Sequence, residues 1–156
     1  MSRLGLPRDL CIRKRPDYLV CYEKGRRFAS RSFMVFARLR ECDEPDFRFG
    51  MAVSKKVGSA VRRNRIKRLV REFFRLRQHE IHEAVAQLAP EAEPSACLDF
   101  VCVVKRSARP ESMVLAQVDQ ELWPVLNKVF KVMAGDLLRR QAHQGDMSLH
   151  QGSTRL

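Results

Sequence analysis

One segment limits the choice of fold more than any other. Between Ser54 and Arg77 the chain places ten Lys or Arg against a single acid, Glu72, while Ala60, Val61, Ile66, Leu69, Val70, Phe73 and Phe74 recur at helical spacing. Such a segment must form a helix with one apolar stripe and one densely charged face. The stripe needs a sheet or a second helix over it, and the charged face must stay accessible. Gly58 predicts the turn into this helix and Ser59 its N-cap.

Strands flank it. "RSFMVFARLR" (31–40) alternates, with Phe33, Val35, Ala37 and Leu39 on one face and Met34 and Phe36 on the other. "FRFGMAVS" (47–54) alternates too, with Phe47, Phe49, Met51 and Val53 on one face. Across the turn "ECDEPD" (41–46) the two are expected to form a hairpin, although the first run can also be divided between two strands. "LDFVCVVKR" (98–106) is a continuous apolar run and predicts a buried strand. "RPDYLVCYEKG" (15–25) predicts a short helix with Asp17 as N-cap and Gly25 at its end. A helical pattern over 111–140 is interrupted by Pro124, which costs ~3 kcal/mol unless the helix kinks or restarts. Residues 78–97 are expected to hold a linker, Pro- and Ala-bearing over 87–96, and residues 141–156 to be a polar, frayed tail. The order α, strands, α, β, α suits a small α+β sandwich with one mixed sheet, a single domain over residues 1–140.

The charge is localised. Of a formal net charge of +12, residues 55–77 alone hold ten bases and one acid, and the first 31 residues hold nine bases and three acids. This distribution points to a polyanionic partner. Asn64, Arg68, Arg71 and Arg75 share an outward helix face, flanked by Arg62, Arg63, Arg65 and Lys67, with Lys55 and Lys56 at the entry. Like charges at this spacing repel, and a merely solvated face interleaves acids. A membrane-surface or calmodulin-type helix would need the apolar side that the sheet requires. Nucleic acid remains. The flanking strands argue against a helix-turn-helix. Tyr18 and Tyr22 lie four residues apart on one helix face, and Phe36 points away from Phe33 and Val35. Alone these rings read as core; beside a basic helix they read as a stacking platform for single-stranded RNA.

Other chemistry is poorly supported. Asp43, Glu44 and Asp46 are turn acids, and His79 and His82 lack a companion ligand set, so no catalytic side chain and no metal site is assigned. The five cysteines have no zinc spacing and are expected to be reduced thiols. The N-terminus has no apolar signal region and no long apolar run exists, so a cytoplasmic location without a membrane partner is expected.

The stretch "GMAVSKKVGSAVRRNRIKRLVREFFR", with "RPDYLVCYEKGRRFASRSFMVF" upstream, resembles the protein subunit of bacterial ribonuclease P over residues 12–77, and more weakly through 98–133. The resemblance implies an α-β-β-β-α-β-α fold around a four-stranded mixed sheet, with the basic helix in a left-handed crossover. It implies that catalysis belongs to a large RNA component with Mg²⁺, which removes the 5′ leader of precursor tRNA. Lys55, Lys56, Arg63, Asn64, Arg65, Lys67, Arg68 and Arg71 match the family's motif for binding that RNA, and Arg62 and Arg75 extend the surface. Tyr18, Tyr22 and Phe36 match its leader cleft, with Arg13, Lys14 and Arg15 at the rim. Family members often carry Phe at the two Tyr positions and Asn at Ser59. A stand-alone RNA-binding or ribosome-associated protein without a cleavage role is the alternative.

Overall fold

The computed structural model describes residues 5–88, 90 and 95–153, the last ten by backbone alone. Along the chain come α1 (Arg15–Lys24), β1 (Arg26–Ala29), β2 (Phe33–Cys42), β3 (Phe47–Ala52), α2 (Ala60–Ala86), β4 (Ser95–Val104) and α3 (Leu115–Ser153), with 3₁₀ turns at Arg8–Leu10 and Lys55–Val57. The order α-β-β-β-α-β-α is the one the resemblance implied.

The four strands lie in the order β1-β2-β4-β3. β4 runs antiparallel to β2 and parallel to β3, so the sheet is mixed. This corrects the expected hairpin between the runs at 31–40 and 47–54. β4 separates them, because the most continuous apolar strand takes the position paired on both edges. The hairpin that does form joins β1 to β2, in the register Arg27↔Phe36 and Phe28↔Val35. The sequence concealed β1: of "RRFA" only Phe28 is buried.

The pleat sorts side chains onto two faces. Phe33, Val35, Ala37, Phe47, Phe49, Leu98, Phe100, Cys102 and Val104 form one core cluster with residues of α2 and α3. From α2 come Ile66, Val70, Phe73, Phe74 and Ile81, and from α3 Val118, Leu122, Leu126 and Val129. The rings of Phe49 and Phe74 stack at 4.1 Å between centroids. Each such side chain contributes ~1.5–3 kcal/mol by leaving water. Arg77 donates to both carboxylate oxygens of Asp119 at 2.9 Å, and its guanidinium lies 4.4 Å from the Trp123 ring centroid. The last base of the charged stretch therefore ties α2 to α3.

Several expected boundaries move. Residues 78–86 belong to α2 rather than to a linker, because Ile81 and Val85 continue its buried stripe. Half of the expected linker 87–96 lies outside the described residues. α3 continues to Ser153, through most of the expected tail, and residues 154–156 lie outside the description. It passes through Pro124, which is exposed, as is Gln120 one turn earlier, so the carbonyl left without its helical donor belongs to the solvent side. α1 is capped by Lys14 with Pro at its start, and Asp17 sits in the first turn instead of capping it. Ser59 does cap α2, its hydroxyl accepting from Arg62 N–H at 3.3 Å. The preceding Gly58 has φ 154°, a conformation that disfavours any side chain. The cysteines are also corrected. Cys42 and Cys97 are joined as a disulfide, because the end of β2 lies beside the start of β4, while Cys11, Cys21 and Cys102 are free.

Candidate nucleic-acid interface

The sheet's second face is built differently. Its side chains fall into rows across the strands. One row runs Gly50, Val101, Phe36, Arg27; the next runs Arg48, Asp99, Arg38; on the other side lies Ala52, Val103, Met34, Ala29. Among the described residues, α1 and Ile12 in the segment leading into it cover this face. Cys21 of α1 packs on Val101 and Ile12, with Tyr18, Phe36 and Val103 partly buried against them.

Tyr18, Tyr22 and Phe36 are brought together. The Tyr22 ring meets Phe36 edge to face at 5.0 Å. Tyr22 is 36% exposed and stands at the surface. Tyr18 packs onto β3: a side-chain carbon at Gly50 would lie 2.5 Å from its hydroxyl oxygen, so only glycine admits the ring. The Tyr18 hydroxyl donates to Ile12 O at 3.2 Å. Burial raises both phenols above their ordinary pKa, so both stay neutral. Burial also pushes Cys21 up to about 11, keeping it a thiol at neutral pH. Past these rings, Ala52, Val103 and Met34 are only half-buried, and Lys55 and Lys56 stand exposed just beyond the end of β3. The result is an aromatic wall and an apolar floor with a basic margin. Arg13, Lys14 and Arg15 lie exposed at the start of α1.

The charged row contains what sequence reasoning missed. The Asp99 side chain is 0% exposed. It accepts from Arg48 Nε at 3.0 Å and Nη2 at 2.8 Å, and from Arg40 Nε at 3.2 Å. Arg48 also approaches Asp17 of α1 at 3.6 Å. Its hydrogen bond to Asp99 raises the guanidinium's pKa further. A buried carboxylate is tolerated only when paired in this way. The Asp99 network therefore fixes two arginines beneath the aromatic row and ties α1 to the sheet. The sequence carried signals for it. Asp99 is a lone acid inside an apolar strand, and Gly50 interrupts an alternating one, which marks close approach of another group.

On α2, Arg62, Asn64, Arg65, Arg68 and Arg71 are exposed, whereas Arg63, Lys67 and Arg75 are half-buried. Not all are equally available. Arg65 donates to the carbonyls of Pro110 at 3.0 Å and Met113 at 2.9 Å, holding the segment before α3. Arg63 donates to Gly58 O at 3.3 Å. Arg75 is paired with Glu72. Arg62, Asn64, Lys67, Arg68 and Arg71 make no side-chain hydrogen bond or ion pair among the described residues.

Among the described residues, no group of three or more His, Cys, Asp or Glu is arranged to hold a metal ion. His82 lies 3.0 Å from Asp46, a pair without further ligands. No described helix is long and apolar enough to cross a membrane.

The comparisons with known proteins agree with one another. A family model for ribonuclease P matches residues 6–129. The chain is 42% identical over 140 residues to the ribonuclease P protein component of Oleidesulfovibrio alaskensis, covering 90% of this chain and 98% of that one. It is 43% identical over 135 residues to the corresponding protein of Desulfovibrio desulfuricans, covering 86% and 94%. Among solved structures, the RNase P protein of Staphylococcus aureus superposes with a TM-score of 0.60 at 30% identity, over 77% of this chain and 94% of that one. The RNase P protein of Thermotoga maritima gives 0.57 at 28% identity, over 75% and 94%.

Proposed function

This chain belongs to the ribonuclease P protein family, and on that premise we propose that it grips the 5′ leader of precursor tRNA between α1 and the sheet while α2 holds the catalytic RNA. The protein is a subunit of an endoribonuclease that processes tRNA 5′ ends, and its RNA partner is the ribonuclease P RNA. The family relationship favours this role over that of an RNA-binding protein without a part in cleavage. One observation carries the leader reading: Tyr22 and Phe36 meet edge to face at 5.0 Å at the mouth of a half-open apolar floor. An aromatic surface of this kind accepts unstacked bases with little sequence preference. Lys55, Lys56, Arg13, Lys14 and Arg15 supply phosphate-binding charge around it.

The catalytic RNA is assigned to the outer side of α2. Arg62, Asn64, Lys67, Arg68 and Arg71 present donors there, with Arg63, Arg65 and Arg75 adding charge from side chains that also hold the protein together. The protein's contribution is to bind, to screen phosphate repulsion and to position the leader. Mg²⁺ is assigned to the RNA component, as the family resemblance implies, and no step is assigned to a side chain.

Tyr22→Ala tests the leader reading. Loss of one stacked base costs ~1–3 kcal/mol, so binding of precursor tRNA to the reconstituted holoenzyme should weaken by roughly tenfold. Binding of mature tRNA should stay unchanged, because only the leader differs. Equal losses for both ligands, with a lower melting temperature, would return these rings to the core.

A further inference from the structure

A second basic recess lies where the aromatic row ends. β1 pairs only with residues 34–37 of β2, so from Arg38 onward that edge of β2 has no strand partner. The end of α1 and the far half of α3 close around this bare edge. They form a cleft of about 530 Å³ lined by Lys24, Arg26, Arg38, Met133, Asp136, Arg139 and Arg140, with Ala37 and Leu39 behind. Five bases face one acid. That acid organises the cleft: Asp136 accepts from Arg26 Nε and Nη2 at 2.7 Å and from Arg139 Nη2 at 2.6 Å. A guanidinium has five N–H donors, so both arginines keep several for a ligand. The side chains of Lys24, Arg38 and Arg140 form no hydrogen bond or ion pair among the described residues.

We propose that this cleft is a second phosphodiester-binding site, which takes the backbone of the 5′ leader upstream of the bases stacked on Tyr22 and Phe36. The inference rests on the leader reading of the aromatic wall. Continuity supports it. Phe36 and Arg38 are successive side chains on one face of β2, ~6.8 Å apart along the strand, so a single strand leaving Phe36 along β2 meets Arg38 next and reaches Arg139 and Arg140 by turning round the bare edge of β2 to the α3 side. Chemistry supports it as well. The polar side chains are four cations in excess of the one carboxylate, a set that selects phosphate and repels cationic ligands. Two of these cations, Arg139 and Arg140, come from the part of α3 beyond residue 129, where the family model's match ends.

The test uses holoenzyme reconstituted with ribonuclease P RNA and two precursor tRNAs, one with a short leader and one with a leader several times longer. In the unsubstituted protein the longer leader should bind more tightly. Arg139→Glu/Arg140→Glu should abolish that gain, leave the short-leader affinity in place, and lower the salt slope for the long leader by ~1.4, at ~0.7 per phosphate contact on a single strand. Arg140→Glu alone, which breaks no bond within the described structure, should remove about half of it. A retained gain would overturn the proposal. So would equal weakening for both leaders or for the RNA component alone, which would assign the cleft to the catalytic RNA. Tyr22→Ala separates the two readings. If it proves indifferent to any leader while the arginine variant loses the gain, the cleft stands and the aromatic wall falls. If Tyr22→Ala acts on the leader and the arginine variant does not, the cleft alone falls.

Discussion

The two faces of one sheet have been put to opposite uses. Toward α2 and α3 the side chains are mainly Phe, Val and Leu, with Ala37 and Cys102, and most are fully buried. Toward α1 the strands present a glycine, an aromatic ring, a buried carboxylate with its arginines, and a row left half-open. The first face has two helices over it; the second has a helix of ten residues. A small domain has limited apolar surface with which to stabilise itself. Concentrating it on one face leaves the other free to hold a ligand. It also requires polar groups there to satisfy one another, as Asp99, Arg48 and Arg40 do.

Substitutions can break this contrast. Phe74→Ala on the dry face should cost ~3–5 kcal/mol by leaving a cavity, read as a large fall in the urea midpoint. Where the variant remains folded, its relative affinities for precursor and mature tRNA should not change. A selective loss for the precursor would mean that the two faces are not separable.

Asp99→Asn should come next. Removing one charge from a buried cluster costs ~3 kcal/mol or more, because Arg48 and Arg40 lose their common counter-charge and one carboxylate oxygen is replaced by an NH₂ that cannot accept from them. Unlike Phe74→Ala, it should also weaken leader binding, since Arg48 bridges β4 to Asp17 of α1. If denaturation shows the loss of stability and the precursor preference is untouched, the network supports the fold but not the cleft.

Arg68→Glu/Arg71→Glu should leave the fold intact and lower the salt slope for binding the RNA component by about 1.4–1.8, from ~0.7–0.9 per contact. Arg65→Ala gives the opposite outcome, a lower melting temperature, because Arg65 holds the carbonyls of Pro110 and Met113. Similar behaviour of the two variants in both assays would erase the distinction between arginines that bind RNA and those that hold the fold.

The smallest effect is expected at the margin of the dry face. Burial raises the Glu121 carboxyl, but hydrogen bonds from Ser32 N–H, Ser30 and Gln117 outweigh it and hold the group below its ordinary pKa. Its stabilising effect is therefore complete above the unfolded value of ~4.3 and is lost as pH falls through the lower folded value. Thermal melts between neutral and acid pH should show a shallower decline for Glu121→Gln. Parallel curves would mean that this carboxylate is not linked to stability.

The sequence was informative where the constraint was local. The cap at Ser59, the apolar stripe of α2 and the central apolar strand could all be read from spacing. So could the pairing of Tyr18 with Tyr22 on one face, four residues apart. Strand order could not. The runs around 31–40 and 47–54 look like neighbours along the chain, and nothing nearby says that a strand more than forty residues later will divide them. β1 was hidden because its outward residues are Arg, which alternation alone cannot separate from a charged loop. Arg65 and Arg77 looked like the other bases of the helix. Their partners, Pro110, Met113 and Asp119, are distant in sequence, so only the folded chain distinguishes them.

The position of β4 governs how this protein must be made. It pairs with β2 over ten residues and with β3 over six, yet it is the last strand to be synthesised. Until Val104 has left the ribosome, β2 and β3 lack their shared partner and the apolar stripe of α2 has no complete sheet to cover. Pairings this distant carry a high loop-closure cost and fold slowly. The nascent chain thus passes through a stage with open strand edges and a finished basic helix. A product terminated within the connection from α2 to β4 would keep nearly all of the helix's positive charge and have no closed core, which makes it a substrate for proteolysis rather than a weaker form of the subunit.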